Sequence, residues 1–269
     1  MIHQGWGMLF LCAKRDDAEA YIRAASLAER EEHIIRVTST GAWRFNWISY
    51  ELQRPDGGGE IQNIVSLLTS VLTEVVEGKQ ISSGYDFWDI AARMLLRNAI
   101  SLLAAAKGTI RLEDLSLMLA SVPRSLEQTQ EAEWQRTSFC AQMIAQADQQ
   151  PKSSVMQHEV TIASRYFLTE LAAMGERTRS SVISTLSASV DLMQRGALYH
   201  LFGQDTTFVP EILDEGAIII LDMPIVQYQE TARIAGMLLK LMCQRALLRR
   251  QRPERPVAII VDEAQNYVS

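Results

Sequence analysis

The chain carries two kinds of hydrophobic pattern, and they occupy different parts of its length. Four short, mainly apolar runs predict β-strands. The run at 7–12 predicts a buried strand, and the run at 257–261 predicts a strand covered on both faces, as in a parallel α/β sheet. Residues 18–31 join the first two runs and residues 229–250 join the last two, each with the apolar spacing of an amphipathic helix. Each end of the chain is therefore predicted to form a β-α-β unit. The predicted strands cover residues 7–12, 34–37, 217–221 and 257–261.

The middle of the chain shows helical spacing only, from residue 61 to about residue 192. A turn-forming segment, Arg-Pro-Asp-Gly-Gly-Gly at residues 54–59, precedes it. Capping and breaking residues stand at the expected helix ends, among them Asp86, Gly108 and Pro123. This order predicts one α/β domain that is interrupted by an all-α insertion. The predicted helices cover residues 61–77, 86–107, 113–120, 131–147, 154–174 and 178–193.

Composition indicates a folded chain without a uniformly basic surface. The 269 residues are 48% hydrophobic and 22% charged, which is enough for a sizeable core. A formal net charge of -6 argues against a uniformly basic surface, but it is compatible with a local basic strip that binds nucleic acid. The start of the chain lacks a secretory signal, and Arg97 and Asn98 make its longest apolar helix too polar to span a bilayer. The widely spaced Cys12, Cys140 and Cys243 are expected to be reduced structural thiols, as in a soluble cytoplasmic protein.

The strongest chemical signal is a pair of adjacent carboxylates, Asp262 and Glu263, directly after the last predicted strand. Ligands of parallel sheets bind beyond the carboxyl ends of the strands. In a nucleotide triphosphatase, Asp262 would hold Mg²⁺ through water, and Glu263 would orient or deprotonate the attacking water. The alternative is an ordinary strand followed by a solvated turn.

The phosphate-binding half of such a site is missing from the sequence. A phosphate loop needs glycines at fixed spacing, then a lysine and a serine or threonine. Gly78 and Lys79 are followed by Gln80, and Thr73 stands where the first glycine of the loop should be. The sequence therefore predicts only the acidic half of a nucleotide site.

Several segments resemble the nucleotide-binding core of type IV secretion coupling proteins, which are conjugative DNA-transfer ATPases with a RecA-like fold. The resemblance is strongest in Phe-Val-Pro-Glu-Ile-Leu-Asp-Glu-Gly-Ala-Ile-Ile-Ile-Leu-Asp-Met-Pro at 208–224 and Arg-Pro-Val-Ala-Ile-Ile-Val-Asp-Glu-Ala-Gln at 255–265. Residues 177–186 resemble the helix that re-enters the core of these proteins after their all-α domain. Weaker similarity at 11–14 and 44–46 extends it over almost the whole chain.

The resemblance implies an α/β fold: a RecA-like P-loop NTPase core with a mostly parallel sheet, interrupted by an all-α insertion domain. Residues 1–55 would form the first part of the core, residues 56–176 the insertion, and residues 177–269 the second part, ending just after the Walker B strand. In this family the phosphate loop lies just before the strand that corresponds to residues 7–12. We therefore expect an internal fragment of a longer protein that also lacks the final core strands.

The function implied by the resemblance is that of an ATP-hydrolysing motor that uses ATP and Mg²⁺. It would couple single-stranded DNA or a relaxase-DNA complex to the type IV secretion machinery. The full-length protein would act as a homo-hexamer at the cytoplasmic face of the inner membrane. Two alternatives stay open: a catalytically incompetent remnant that only binds partners, and a related DNA-packaging or secretion ATPase.

The resemblance also gives roles to residues near the acidic pair. Asp262 corresponds to the metal carboxylate and Glu263 to the catalytic one. Gln265 lies where such motors place a residue that senses the γ-phosphate or the neighbouring subunit, although a polar turn residue is an equal alternative. The chain departs from the family at Cys12-Ala13-Lys14, because many relatives carry an aspartate before this lysine.

Further charged residues have two interpretations each. Lys14 would face phosphate at the end of its strand, or it is a solvated loop lysine. Asp222 follows a strand expected beside that of Asp262, and would either reach the same crevice or cap a helix. Arg177 and Arg179 would supply an arginine finger to a neighbouring subunit, or they form an exposed pair at a helix start.

An aromatic alternation at Trp43, Phe45 and Trp47 has two interpretations as well. The rings would stack on nucleic-acid bases, or they belong to a strand that buries one face. We favour the second interpretation, in which the rings form a small satellite core.

Overall fold

The computed structural model describes residues 1–54, 58, 60–76, 85–251 and 255–263, and for residues 72–76 and 85–89 only the backbone. The chain divides into two compact units. An α/β unit consists of Met1–Trp47 and Arg195–Ser269, and a helical unit consists of Ile48–Gln194.

Within its described residues, the α/β unit contains a parallel sheet of four strands, in the order β2-β3-β1-β4. Leu9 at the centre of β1 pairs with Ile219 of β3 and with Ile259 of β4. All residues of β1 and β3 are buried, whereas those of β4, an edge strand, are half-buried. The predicted strands and the α/β class are confirmed. The strands are β1 Gly7–Leu11, β2 Ile34–Val37, β3 Ile218–Leu221 and β4 Val257–Val261.

Helices make up most of the rest of the described chain. Short 3-10 turns lie at Ile2–Gln4, Glu31–His33 and Pro210–Glu215, and a π-helical segment at Tyr166–Leu171. None of the helices within the described residues is long and apolar enough to cross a membrane. The α-helices are α1 Asp17–Ser26, α2 Trp47–Gln53, α3 Ile61–Val76, α4 Tyr85–Lys107, α5 Leu112–Ala120, α6 Leu126–Thr129, α7 Ala132–Thr137, α8 Phe139–Gln149, α9 Ser154–Arg165, α10 Glu176–Met193, α11 Gly196–Phe202 and α12 Ile225–Leu248.

The two crossover connections of the sheet run in opposite directions. The connection through α1 leads from β1 past β3 to β2, and the connection through α12 leads from β3 past β1 to β4. Ala18 and Ala25 of α1 pack against Met8, Phe10 and Ile220 on one face of the sheet. Because parallel crossovers are right-handed, the opposite direction of the second connection assigns α12 to the other face. Adjacent strands whose connections leave to opposite faces form a ligand-binding crevice at their carboxyl ends.

Trp43 and Phe45 form an aromatic cluster with Phe208, which confirms the predicted satellite core. Phe45 and Trp47 are fully buried, and Phe208 lies against both Trp43, at 6.2 Å between ring centroids, and Phe45, at 5.7 Å. The backbone N-H of Phe45 donates to the carbonyl of Leu201 at 2.7 Å. The predicted strand itself is wrong, because this segment joins no sheet and α2 begins at Trp47.

The helical unit is built around α4, which packs against α3, α5, α8, α9 and α10. Within its described residues it contains no strand, as the sequence predicts. The helix at 176–193 belongs to this unit, because its buried stripe of Val182, Leu186 and Val190 packs with α3, α4 and α5. The unit therefore spans Ile48–Gln194, whereas the expected insertion covers residues 56–176.

One predicted helix is interrupted in the structure, and another has a kink at its predicted first residue. The helix predicted for residues 131–147 breaks at Ser138. The Ser138 hydroxyl accepts a hydrogen bond from the backbone N-H of Ala141 at 3.2 Å and thereby caps α8. The same hydroxyl donates to the carbonyl of Ser121 at 2.7 Å. Such side-chain bonds to the backbone compete with helix continuation. In α12, which begins four residues before its predicted start, Gln229 has φ 45° and ψ -119° and marks a kink.

Candidate functional site at the carboxyl edge of the sheet

The predicted carboxylates lie at the carboxyl edge of the sheet beside a lysine from a neighbouring strand. Leu11 at the end of β1 pairs with Val261 at the end of β4, so the loops that follow them are adjacent. Lys14 Nζ lies 3.6 Å from Asp262 Oδ2 and 3.7 Å from Glu263 Oε1. The ammonium group therefore contacts both carboxylates of the pair.

The backbone turn after β4 orients the two carboxylates toward this common point. Glu263 adopts a left-handed conformation with φ 51°, which costs a residue with a Cβ roughly 1–2 kcal/mol. Its backbone N-H donates to Asp262 Oδ1 at 3.1 Å, while Asp262 Oδ2 faces the lysine. Backbone strain of this kind is found at functional sites. One carboxylate oxygen of Asp262 thus accepts a backbone hydrogen bond, and the other faces the ammonium group.

Lys14 is held in place through its backbone rather than through its side chain. Its backbone N-H donates to Asp17 Oδ2 at 2.8 Å, and the carbonyl of the preceding Ala13 accepts from the N-H of Ile225 at 3.1 Å. The carboxylate of Asp262, and next that of Glu263, raise the pKa of the Lys14 ammonium. The sequence predicts that Lys14 faces either a phosphate or solvent. It predicts neither the contact of Lys14 with the two carboxylates nor the hydrogen bond from Lys14 N-H to Asp17.

The donor set fits a magnesium ion of the nucleotide-bound kind. Mg²⁺ usually binds one or two carboxylates and completes its shell with water and phosphate oxygens. Asp262 and Glu263 already face one cationic group, so their oxygens converge on a single position. In the part of the chain that the structure describes, no three histidine, cysteine, aspartate or glutamate residues group closely enough to enclose a metal. The protein would therefore supply the acidic side of a shared metal site.

Asp222 belongs to a separate ion-pair network. It lies 2.7 Å from Nη2 of Arg36 on β2, and the same guanidinium lies 2.9 Å from Glu19 of α1. The bond to Asp222 is the main reason why the pKa of Arg36 is raised. The expectation that its strand lies beside that of Asp262 is wrong, because β1 separates β3 from β4. Asp222 therefore ties β3 to β2.

Cys12 is a buried neutral residue beneath the site. Its thiol is fully buried in the layer between α1 and the sheet. Burial, followed by the negative charges of Asp222 and Asp17, raises its pKa from about 9 to about 12. A thiol that keeps its proton is a poor metal ligand, because the thiolate is the form that binds metals. Cys12 is thus an uncharged core residue.

The two candidate arginine-finger residues, Arg177 and Arg179, differ in burial. The side chain of Arg179 is buried in the helical unit and donates to the carbonyl of Met174 at 2.8 Å and to that of Ala172 at 3.4 Å. Arg177 is exposed. The expectation that both arginines are exposed is therefore wrong for Arg179. Gln265 lies outside the described residues, so its predicted role stays a prediction.

Comparison with known proteins assigns no function to the chain, so its function has to be inferred from these residues. No family model matches the chain, and no curated protein or solved structure matches it significantly. The site is thus defined by its position at a parallel-sheet edge and by its three charged side chains.

Proposed function

We propose that this chain is part of an ATP-hydrolysing motor with a RecA-like P-loop core, and that it carries the hydrolytic half of the nucleotide site. The observation that carries this proposal is the convergence of Asp262 and Glu263 at the carboxyl end of β4, next to the end of β1. The opposed connections of β1 and β3 support it, because they open a crevice at the same edge of the sheet.

The two carboxylates would have different roles in ATP hydrolysis. Bound Mg²⁺ would neutralise charge on the phosphate oxygens. Asp262, with one oxygen already engaged by the N-H of Glu263, would use its other oxygen to hold the metal through water. Glu263 would orient the attacking water and accept its proton, as a carboxylate within hydrogen-bond reach of that water can do.

The biological setting of the motor comes from the sequence resemblance. An α/β unit whose two chain segments flank a helical unit suits a core interrupted by an all-α domain. The full-length motor would drive single-stranded DNA or a relaxase-DNA complex into a type IV secretion channel, as a homo-hexamer at the cytoplasmic face of the inner membrane. A DNA-packaging or secretion ATPase would use the same two carboxylates on another substrate.

A second candidate, a non-catalytic partner-binding module, is favoured by two observations. Lys14 already neutralises part of the charge of the carboxylate pair. The first turn of α1, at the same edge of the sheet, carries Asp17 and Glu19, which would repel a phosphate at that helix N-terminus. In such a module the ion contact would only stabilise the sheet edge.

Binding of Mg²⁺·ATP distinguishes the two candidates. We expect no measurable binding by calorimetry for residues 1–269, and measurable binding by a longer natural polypeptide in which a phosphate loop precedes residue 1. A longer polypeptide without a Gly-Lys-Ser/Thr loop, or one that has the loop and does not bind, would overturn the motor. Measurable binding by residues 1–269 themselves would instead exclude the non-catalytic module.

A further inference from the structure

Lys14 occupies the position toward which the two carboxylates of the site converge. Its ammonium lies 3.6 Å from Asp262 and 3.7 Å from Glu263. We propose that Lys14 is a positioning residue that competes with a divalent cation for Asp262 and Glu263. This inference rests on the proposed function, since it concerns the same metal site.

The structure allows the Lys14 side chain to leave while its backbone stays in place. The hydrogen bonds from Lys14 N-H to Asp17 and from Ile225 N-H to the Ala13 carbonyl both fix the peptide unit that precedes the lysine Cα. The lysine side chain itself is 62% exposed. A long exposed side chain on a fixed backbone can rotate into solvent without disturbing the strand ends.

The ammonium and the metal cannot both keep their contacts with these carboxylates. Without a cation, Asp262 and Glu263 would repel each other at the mouth of the strand. Lys14 holds them together in the metal-free protein, but an ammonium group has no lone pair and cannot share a coordination shell. A divalent ion that takes the carboxylate oxygens must therefore displace the ammonium or bind against its charge.

The size of the competition follows from Coulomb's law. A single positive charge about 5 Å from a doubly charged ion in a water-like dielectric weakens binding by about tenfold at low ionic strength. Salt reduces this effect for exposed groups. Removal of the Lys14 charge is therefore expected to tighten divalent binding by about threefold to tenfold in a low-salt buffer.

The test uses Mn²⁺ as the probe and the whole 269-residue chain, with free Mn²⁺ measured by electron paramagnetic resonance. The variants are Lys14→Gln, which removes the charge, and Lys14→Arg, which keeps it. Arg15→Gln is the matched control, because this adjacent exposed residue has no ion pair within the described part of the chain. Asp262→Asn shows whether the bound Mn²⁺ is at this site, and circular dichroism confirms that each variant is folded.

We expect Lys14→Gln to bind Mn²⁺ about threefold to tenfold more tightly than the wild type. Lys14→Arg and Arg15→Gln should stay within about twofold, and Asp262→Asn should abolish the binding. Equal affinities of wild type and Lys14→Gln would overturn the inference and leave the proposed metal site intact. If no variant binds Mn²⁺ in an Asp262-dependent way, both the proposed metal site and the role of Lys14 are overturned.

Discussion

Lys14 Nζ and Asp262 Oδ2 lie 3.6 Å apart and connect the ends of two neighbouring parallel strands, β1 and β4. The contact is exposed to solvent, so it contributes little to the stability of the fold. Its importance lies in the position of the charge, because the ammonium group faces two consecutive carboxylates that directly follow a strand. The site therefore already contains a charge that any bound metal has to replace or oppose.

Asp222 is predicted to stabilise the sheet and to have no part in metal binding. Asp222→Asn should lower the free energy of unfolding by about 0.5–1 kcal/mol, because it weakens the partly exposed ion pair with Arg36. The same variant should leave Mn²⁺ affinity unchanged, since β1 separates its strand from that of Asp262. Urea denaturation and a Mn²⁺ titration measure the two quantities. A large loss of Mn²⁺ affinity would show that Asp222 reaches the metal site.

Arg179 is predicted to stabilise the helical unit and not to serve a neighbouring subunit. Arg179→Ala should cost about 1–3 kcal/mol of unfolding free energy, because the carbonyls of Ala172 and Met174 lose a charged donor. Arg177→Ala, at an exposed position nearby, is the control and should change stability by less than about 0.5 kcal/mol. Chemical denaturation followed by far-ultraviolet circular dichroism makes the comparison. Equal stabilities of the two variants would contradict the structural role.

The thiol of Cys12 is predicted to make stability depend on alkaline pH. Burial is the first cause that raises its folded-state pKa to about 12, whereas an unfolded thiol titrates near its ordinary value of about 9. The folded state therefore holds the proton more tightly, and this contribution is complete below about pH 8.5 and declines as pH rises toward 12. Urea denaturation between these pH values should show a shallower decline for Cys12→Ala than for the wild type. An unchanged slope would indicate that Cys12 titrates normally.

Much of the α/β unit follows from the sequence, because short apolar runs bounded by turn residues are typical of strands in a parallel sheet. β2 and β4 match their predicted residues, and β1 and β3 are each one residue shorter than predicted. Helix boundaries are less predictable where a side chain competes with the backbone. Ser138 divides one predicted helix because its hydroxyl meets both Ala141 and Ser121, and the second of these contacts depends on the tertiary structure.

The candidate site is predictable only as far as a single segment determines it. Asp262 and Glu263 follow directly from the end of their own strand. The contact with Lys14 depends on strand order, and local patterns do not reveal that β1 pairs with β4 while β3 lies on its other side. The same missing information led to the incorrect placement of Asp222. The burial of Arg179 likewise depends on carbonyls at the end of the preceding helical segment.

The rate of ATP hydrolysis by Glu263→Gln, in a polypeptide that also contains a phosphate loop, tests directly whether Glu263 is the catalytic carboxylate. Glutamine keeps the size of the side chain but does not accept the proton of the attacking water. We expect Mg²⁺·ATP binding to persist and the turnover rate to fall by about 10²–10⁴-fold. Hydrolysis at the wild-type rate would show that Glu263 is not the catalytic carboxylate.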